Sequence, residues 1–170
     1  MHRGAYLVGV AGGSGSGKTS LVRALRERLP AGSVCVVSQD DYYHPKEVQA
    51  VDPNGKVNFD LPTAVDMDAL ARDLRTLVAG DPIYKKEYTF NQAGKEAALI
   101  ELRPAPVILV EGLFVLHHEP VRELFDLRVF IDASESAQLD RRLRRDAKER
   151  GYAAEEVLYQ WEHHVLPAYR

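Results

Sequence analysis

Tyr6-Leu7-Val8-Gly9-Val10-Ala11-Gly12-Gly13-Ser14-Gly15-Ser16-Gly17-Lys18-Thr19-Ser20 is the stretch that decides the fold. Residues 6–11 are an apolar run without alternation, as expected of a strand covered on both faces. Gly12 to Thr19 then match a Gly, four free positions and Gly-Lys-Thr, the spacing of a phosphate-binding P-loop. Glycines let the backbone turn tightly and aim several N–H groups at one anion. Leu21, Val22, Leu25 and Leu29 recur at helical spacing with Pro30 beyond them, which predicts a helix over Thr19–Leu29. Its dipole adds positive potential where the phosphates would sit. Gly12, Gly13, Ser14, Gly15, Ser16, Gly17, Lys18, Thr19 and Ser20 are therefore the candidate nucleotide cradle. Lys18 is expected on the β- and γ-phosphates, and the Thr19 hydroxyl on Mg²⁺. A flexible Gly/Ser linker has a similar composition but is not bracketed by a strand and a helix.

The 170 residues suit one domain, 1–170, with a full-sized core. A net charge of −3 gives no general attraction to nucleic acid or to an acidic membrane, so phosphate must be held by a local positive site. A single cysteine, Cys35, lies in an apolar run and reads as a buried thiol; no intrachain disulfide can form. The longest apolar stretch, Ala105–Leu116, is interrupted by Glu111 and falls short of the roughly 20 residues that span a bilayer. The apolar N-terminus reads better as the first strand than as a signal segment, so the expected location is cytoplasmic.

Three further apolar runs read as strands, Val34–Ser38, Val107–Val110 and Leu127–Ile131. Helical patterns cover Asp66–Val78, Glu119–Phe125, Ser134–Arg150 and Ala154–His164. Alternation of this kind predicts an α/β fold of the P-loop NTPase type, a parallel β-sheet with helices on both faces. His44–Val65 and Gly80–Pro104 resist regular structure, apart from a hairpin strand expected within Tyr84–Phe90. Long irregular stretches in a compact domain are often functional.

Ligands of open α/β sheets bind beyond the carboxyl ends of the strands. Here the second strand ends in Gln39-Asp40-Asp41-Tyr42-Tyr43 and the third in Glu111-Gly112. Two carboxylates beside a phosphate cradle suit phosphoryl transfer, one near the acceptor hydroxyl and one near the metal. The bland alternatives are a capping pair at Asp40-Asp41 and a solvated strand-end Glu111. Asp60, in Asn58-Phe59-Asp60, has the chemistry to accept two ribose hydroxyls, or to serve an ordinary turn. Arg141-Arg142-Leu143-Arg144-Arg145-Asp146, with Lys148 and Arg150, forms a basic helix suited to a lid over the transferring phosphoryl group. A solvated face or a nucleic-acid patch competes, the latter disfavoured by the lack of interleaved aromatics. The pairs His117-His118 and His163-His164 lack metal-helix spacing and are read as structural. Asp52-Pro53-Asn54-Gly55 fits the loose DxxG pattern of GTPases, but it follows no strand and no Asn-Lys-x-Asp motif accompanies it.

Together these motifs resemble the uridine kinase and phosphoribulokinase family of P-loop kinases. The resemblance runs from Gly9–Thr19 through Ser38–Tyr43, Asn58–Asp60, Val110–Gly112 and Arg141–Gly151 to Gln160. It implies ATP-dependent phosphorylation of a ribose 5′-hydroxyl, with Mg²⁺ as cofactor and GTP as the alternative donor. By position, Asp40, Lys18 and Arg145 carry the chemistry, and Arg141 and Arg150 join the nucleotide site. Tyr43, Phe59, Asp60, Tyr84, Tyr88 and Gln160 contact the acceptor, and Thr19 and Glu111 attend the metal. The expected partner is a small nucleoside or sugar, without nucleic acid or membrane; a homo-oligomer is compatible with the family.

Two departures bear on specificity. No histidine stands where pyrimidine-reading members carry one, whether the segment Pro82–Gln92 is aligned on Tyr84 or on Tyr88. Tyr152 occupies a position where the family often has another lid arginine. Uridine or cytidine is the first expectation. Nicotinamide riboside and other sugar alcohols stay open, as does a non-kinase ATPase or switch. Members of the family continue into a further strand and helix, so the native chain is expected to run past Arg170.

Overall fold

A computed structural model describes residues 4–90 and 94–168. Among these residues six strands form, β1 (Tyr6–Gly12), β2 (Val34–Ser38), β3 (Ile83–Lys86), β4 (Leu99–Leu102), β5 (Val107–Gly112) and β6 (Leu127–Ile131). Four of them make one parallel sheet in the order β2-β5-β1-β6. The helices are α1 (Lys18–Arg28), α2 (Met67–Ala79), α3 (Glu119–Arg122), α4 (Glu135–Arg145), α5 (Ala154–Gln160) and the short α6 (Leu166–Ala168).

The unbroken apolar strands are explained by two cores, one on each sheet face. Alternate residues of β1 separate: Leu7 and Ala11 join Leu70, Leu74 and Leu77 of α2, while Val8 and Val10 join Val22 of α1. Register then brings polar residues together at the carboxyl edge. β5 lies between β1 and β2, so Glu111 pairs with Val10 on one side and with Ser38 on the other. Gly112 is needed just beyond it, because a Cβ there would collide with the Gln39 side chain.

Several boundaries differ from the sequence expectation. The long helix over Ser134–Arg150 is α-helical only to Arg145; Asp146–Arg150 widens into a π turn that ends at Gly151. The helix over Ala154–His164 likewise passes into a π turn, Trp161–Val165. Such widened turns concentrate at functional sites, since they re-aim side chains. Glu119–Phe125 keeps only one α turn and closes with shorter bonds, Leu124 N–H to Val121 O and Phe125 N–H to Arg122 O. The hairpin strand is Ile83–Lys86, antiparallel to a partner, Leu99–Leu102, that pattern reading missed. Pairing stops after Glu87 because the Tyr88 amide turns instead toward Asp41 Oδ1, at 3.4 Å.

Asp52-Pro53-Asn54-Gly55 is a structural clamp. Asp52 Oδ1 accepts from the amides of Asn54 and Lys56, both at 2.9 Å. Its Oδ2 accepts from the Tyr159 hydroxyl at 2.6 Å and faces buried His164 Nε2 at 2.8 Å, docking the loop on the C-terminal helices. Burial alone would raise the Asp52 carboxyl, but bonds from Tyr159, Lys56, His164 and Asn54 outweigh it and hold it well below the ordinary carboxylate range. A depressed carboxylate contributes stability that is fully present above its unfolded pKa, about 4, and is lost as pH falls toward the folded value. Asp52→Asn is therefore expected to lower the Tm at about pH 6 and to shrink the further fall between about pH 6 and pH 3. Thermal melts check this; an acid-induced fall as steep as the wild type's would show that the clamp carries no such linkage.

Candidate active site

The loop after β1 turns through Gly15, φ 75°, and Gly17, φ 105°, conformations that side chains with a Cβ rarely adopt. Ser16 N–H bonds to Gly13 O at 3.1 Å and the Lys18 ammonium folds back onto the same carbonyl at 2.8 Å. Helix α4 braces the loop from outside. Arg141 donates to Gly15 O and Ser16 O, at 3.2 and 3.1 Å, and Arg142 donates to the Ser14 hydroxyl at 3.1 Å. Arg141 thus holds loop carbonyls and does not line the cleft, unlike its expected place among the nucleotide contacts. The Ser16 hydroxyl is buried without a hydrogen-bond partner among the described residues.

Lys18, Thr19, Asp40, Tyr43, Phe59, Asp60, Glu111, Arg145, Arg150 and Gln160, each expected from sequence, line a single cleft with Ser14. At one wall the Ser38 hydroxyl donates to Glu111 Oε1 at 2.8 Å, as the β2–β5 register dictates. Burial, and then the Asp40 charge, push the Glu111 carboxyl up to about 7, against the pull of Ser38 and Lys18. Burial also lowers the Lys18 ammonium, with Glu111 and Asp40 opposing. Two carboxylates crowd one lysine, and an oxygen-ligated cation would relieve the excess negative charge. Thr19 and Glu111 supply suitable hard donors. Among the described residues no three His, Cys, Asp or Glu side chains cluster as an all-protein cage.

The opposite wall is aromatic. Tyr43 packs against Phe59 (centroids 5.7 Å), Tyr88 (5.4 Å) and Phe90 (5.4 Å). Tyr88 backs this cluster, 4.8 Å from Phe90, and does not itself line the cleft. Tyr84 departs from expectation: it is 62% exposed on the hairpin, its hydroxyl near Glu101. A β-strand sends alternate residues to opposite faces, and the register that buries Ile83 turns Tyr84 outward. Ser20 is exposed on α1 and also lies outside the cleft. Asn91 and Gln92 of the Pro82–Gln92 segment fall outside the described residues.

Arg142 is the residue that sequence reading passed over. It is 5% exposed and sits 3.2 Å from Asp146, 3.7 Å from Asp60 and 2.6 Å from Gln160 Oε1. Gln160, expected to face the ribose, is thus engaged by Arg142. The available signal was Arg142 and Asp146 four apart in the basic run, a spacing that pairs them on one face. Arg150 reaches Asp40 Oδ2 at 3.6 Å and lays its guanidinium 3.8 Å from the Phe90 centroid. Phe90 and Tyr152 join the lining, although neither was assigned a role.

A model described as the Phosphoribulokinase / Uridine kinase family matches residues 7–170. The chain belongs to this family. Among curated relatives within it, a uridine kinase of Lactiplantibacillus plantarum is 36% identical, covering 99% of this chain and 80% of its own. A uridine kinase of Deinococcus deserti is 38% identical over 98% of this chain and 80% of its own. A candidate fructose transport system kinase from Silicibacter, 20% identical, superposes with TM-score 0.75 over 98% of this chain and 84% of that one. At that identity the last comparison speaks for the fold alone, which is that of the P-loop kinases.

Proposed function

We propose that the protein transfers the γ-phosphoryl group of ATP to the 5′-hydroxyl of a nucleoside, with uridine or cytidine as first acceptor. The observation that carries this reading is the convergence of Lys18, Thr19, Asp40, Glu111 and Asp60 on one cleft with an aromatic wall. The relatives named uridine kinase support the nucleoside acceptor.

On this reading the P-loop amides and Lys18 hold the ATP phosphates, Lys18 leaving Gly13 O to do so. Thr19 and Glu111 would hold Mg²⁺, which, when bound, supplies neutralisation of the phosphate charge. Asp40 accepts the proton of the attacking hydroxyl. Asp60 takes ribose hydroxyls, and Tyr43, Phe59 and Phe90 offer faces to the base. Arg145 and Arg150 stabilise charge on the moving phosphoryl group. Arg150 must then exchange Asp40 and the Phe90 ring for phosphate, so lid rearrangement is part of the cycle.

ADP release measured with ATP, Mg²⁺ and a panel of uridine, cytidine, nicotinamide riboside and free sugars tests the assignment. Uridine or cytidine is expected to accelerate release well above the acceptor-free rate. No acceleration by any acceptor would remove the kinase reading in favour of an ATPase or switch.

A further inference from the structure

Gln39 opens the turn Gln39–Tyr42, immediately before Asp40, and is fully buried, yet the mechanism gives it no part. Its Oε1 accepts the Phe114 amide at 2.7 Å, across 75 residues of chain. Phe114 lies two residues past Gly112, the last residue of β5, which carries Glu111 to the cleft. The Gln39 side chain reaches it by lying flat against Gly112, where a Cβ would collide with both its Cβ and its Oε1. Leu113, between the two contacts, lines the cleft. One residue earlier Ser38 makes a similar tie. Its hydroxyl donates to Glu111 Oε1 at 2.8 Å and accepts the Asp40 amide at 3.3 Å. Two neighbouring side chains at the end of β2 thus grip two successive parts of the β5 exit, and Asp40 follows directly.

We propose that Gln39 is a positioning residue for phosphoryl transfer. By bonding the Phe114 amide it fixes the Asp40 turn against the β5 exit and so sets the separation of Asp40 from Glu111. This rests on reading the cleft as a kinase site, with Asp40 on the acceptor side and Glu111 on the metal side. The β2–β5 ladder ends at the pair Ser38–Glu111, so Asp40 already lies beyond it. The far end of the turn is held elsewhere, by the Tyr42 hydroxyl on Asp73 of α2 at 2.7 Å. Without Gln39 the turn stays fastened to α2 but can shift relative to β5. Such a shift moves the two carboxylates apart while leaving each in its own wall of the cleft.

The energetics set this role apart from simple packing. Gln39 Nε2 is enclosed without a hydrogen-bond partner among the described residues. The gain from the bond to Phe114 is offset by an orphaned donor whose desolvation costs a comparable amount. An apolar side chain of the same length would exchange one orphan, Nε2, for another, the Phe114 amide. The worth of the amide lies in where it holds the chain, since it adds little to how firmly the chain folds.

The decisive measurement is single-turnover phosphoryl transfer by rapid quench, at saturating ATP, Mg²⁺ and acceptor, in the wild type and in the nearly isosteric Gln39→Met. Transfer is expected to fall by about 10²-fold, the cost of a misplacement near 1 Å. KM for ATP and for acceptor should each stay within about twofold of the wild type. The urea midpoint should be nearly unchanged, because one orphan replaces another. A transfer rate within about twofold of the wild type overturns the proposal, and a lowered midpoint with transfer intact would mark Gln39 as purely structural. Amide hydrogen exchange tests the tie in the wild type, with no variant and no turnover. The Phe114 amide should be protected like those of β5, although it lies beyond the strand; rapid exchange there overturns the tie. A wild type that transfers phosphate to no acceptor removes the kinase reading itself, whereas an active wild type with an equally active variant removes only the role of Gln39.

Discussion

Asp40→Asn is expected to lower kcat by about 10²–10⁴-fold, the usual contribution of a positioned general base. The substitution keeps the shape of the side chain and removes its capacity to take a proton, together with its charge and the ion pair to Arg150. Asp40 stands at the first position past the β2 edge where it can face both the P-loop and the aromatic wall. Its amide is tied to the Ser38 hydroxyl at 3.3 Å, so its backbone is held by the strand end. ATP affinity should change little, because Lys18 and the loop amides are untouched. Asp40 raises the Glu111 carboxyl, so its neutralisation favours ionised Glu111 and leaves the metal side at least as competent. Steady-state kinetics and calorimetric titration of a non-hydrolysable ATP analogue check the two halves separately. Near-normal turnover would take Asp40 out of the base role.

The largest effect on stability is expected from Arg142→Met. The Arg142 side chain is 6% exposed, that of Asp146 0% and that of Asp60 7%. Removing the cation leaves two buried carboxylates without it, and breaking a buried pair from one side costs about 3–5 kcal/mol. It also frees the Ser14 hydroxyl and Gln160 Oε1, leaving Arg141 to hold α4 on the P-loop carbonyls. Burial already raises the Asp60 carboxyl, with Arg142 first among the charges that oppose it. Urea unfolding midpoints measure the cost. Arg142→Met/Asp60→Asn should recover part of it: Asp146 keeps Arg145 at 2.8 Å and Arg150 at 3.7 Å, so Asp60 is the carboxylate that Arg142→Met strands. Arg144–Asp140, at 3.1 Å but with side chains 79% and 58% exposed, is the control: Arg144→Ala should cost less than about 1 kcal/mol. Equal losses at the two sites would mean that the Arg142 network is not the keystone of the lid.

How much of the site was legible follows from how local each part is. Lys18, Thr19 and the loop glycines occupy adjacent positions, and the loop's backbone geometry is one that the sequence pattern encodes directly. Asp40 and Glu111 were legible because they end apolar runs, and strand ends of a parallel sheet share one edge. Tyr84 failed because a two-residue period cannot tell which face is inward until the register with Leu99–Leu102 is known. Gln160 lines the cleft as expected, but its bond to Arg142 was not legible, because a side chain's partner is not written in its own neighbourhood.

The sequence by itself determined the P-loop, the parallel α/β order, the carboxylates at the strand ends and the basic lid segment. Each is a short-range pattern of spacing and polarity. Only the tertiary structure decided which lid arginine is the buried one, since Arg142 meets Ser14 across 128 residues. It likewise decided that Asp52 clamps onto His164 across 112 residues, and that Lys85 lies on Tyr42 behind the turn that carries Asp40. These contacts depend on where π turns, hairpin register and helix docking bring side chains from far-separated positions. That is set by the whole chain's packing and by no local spacing.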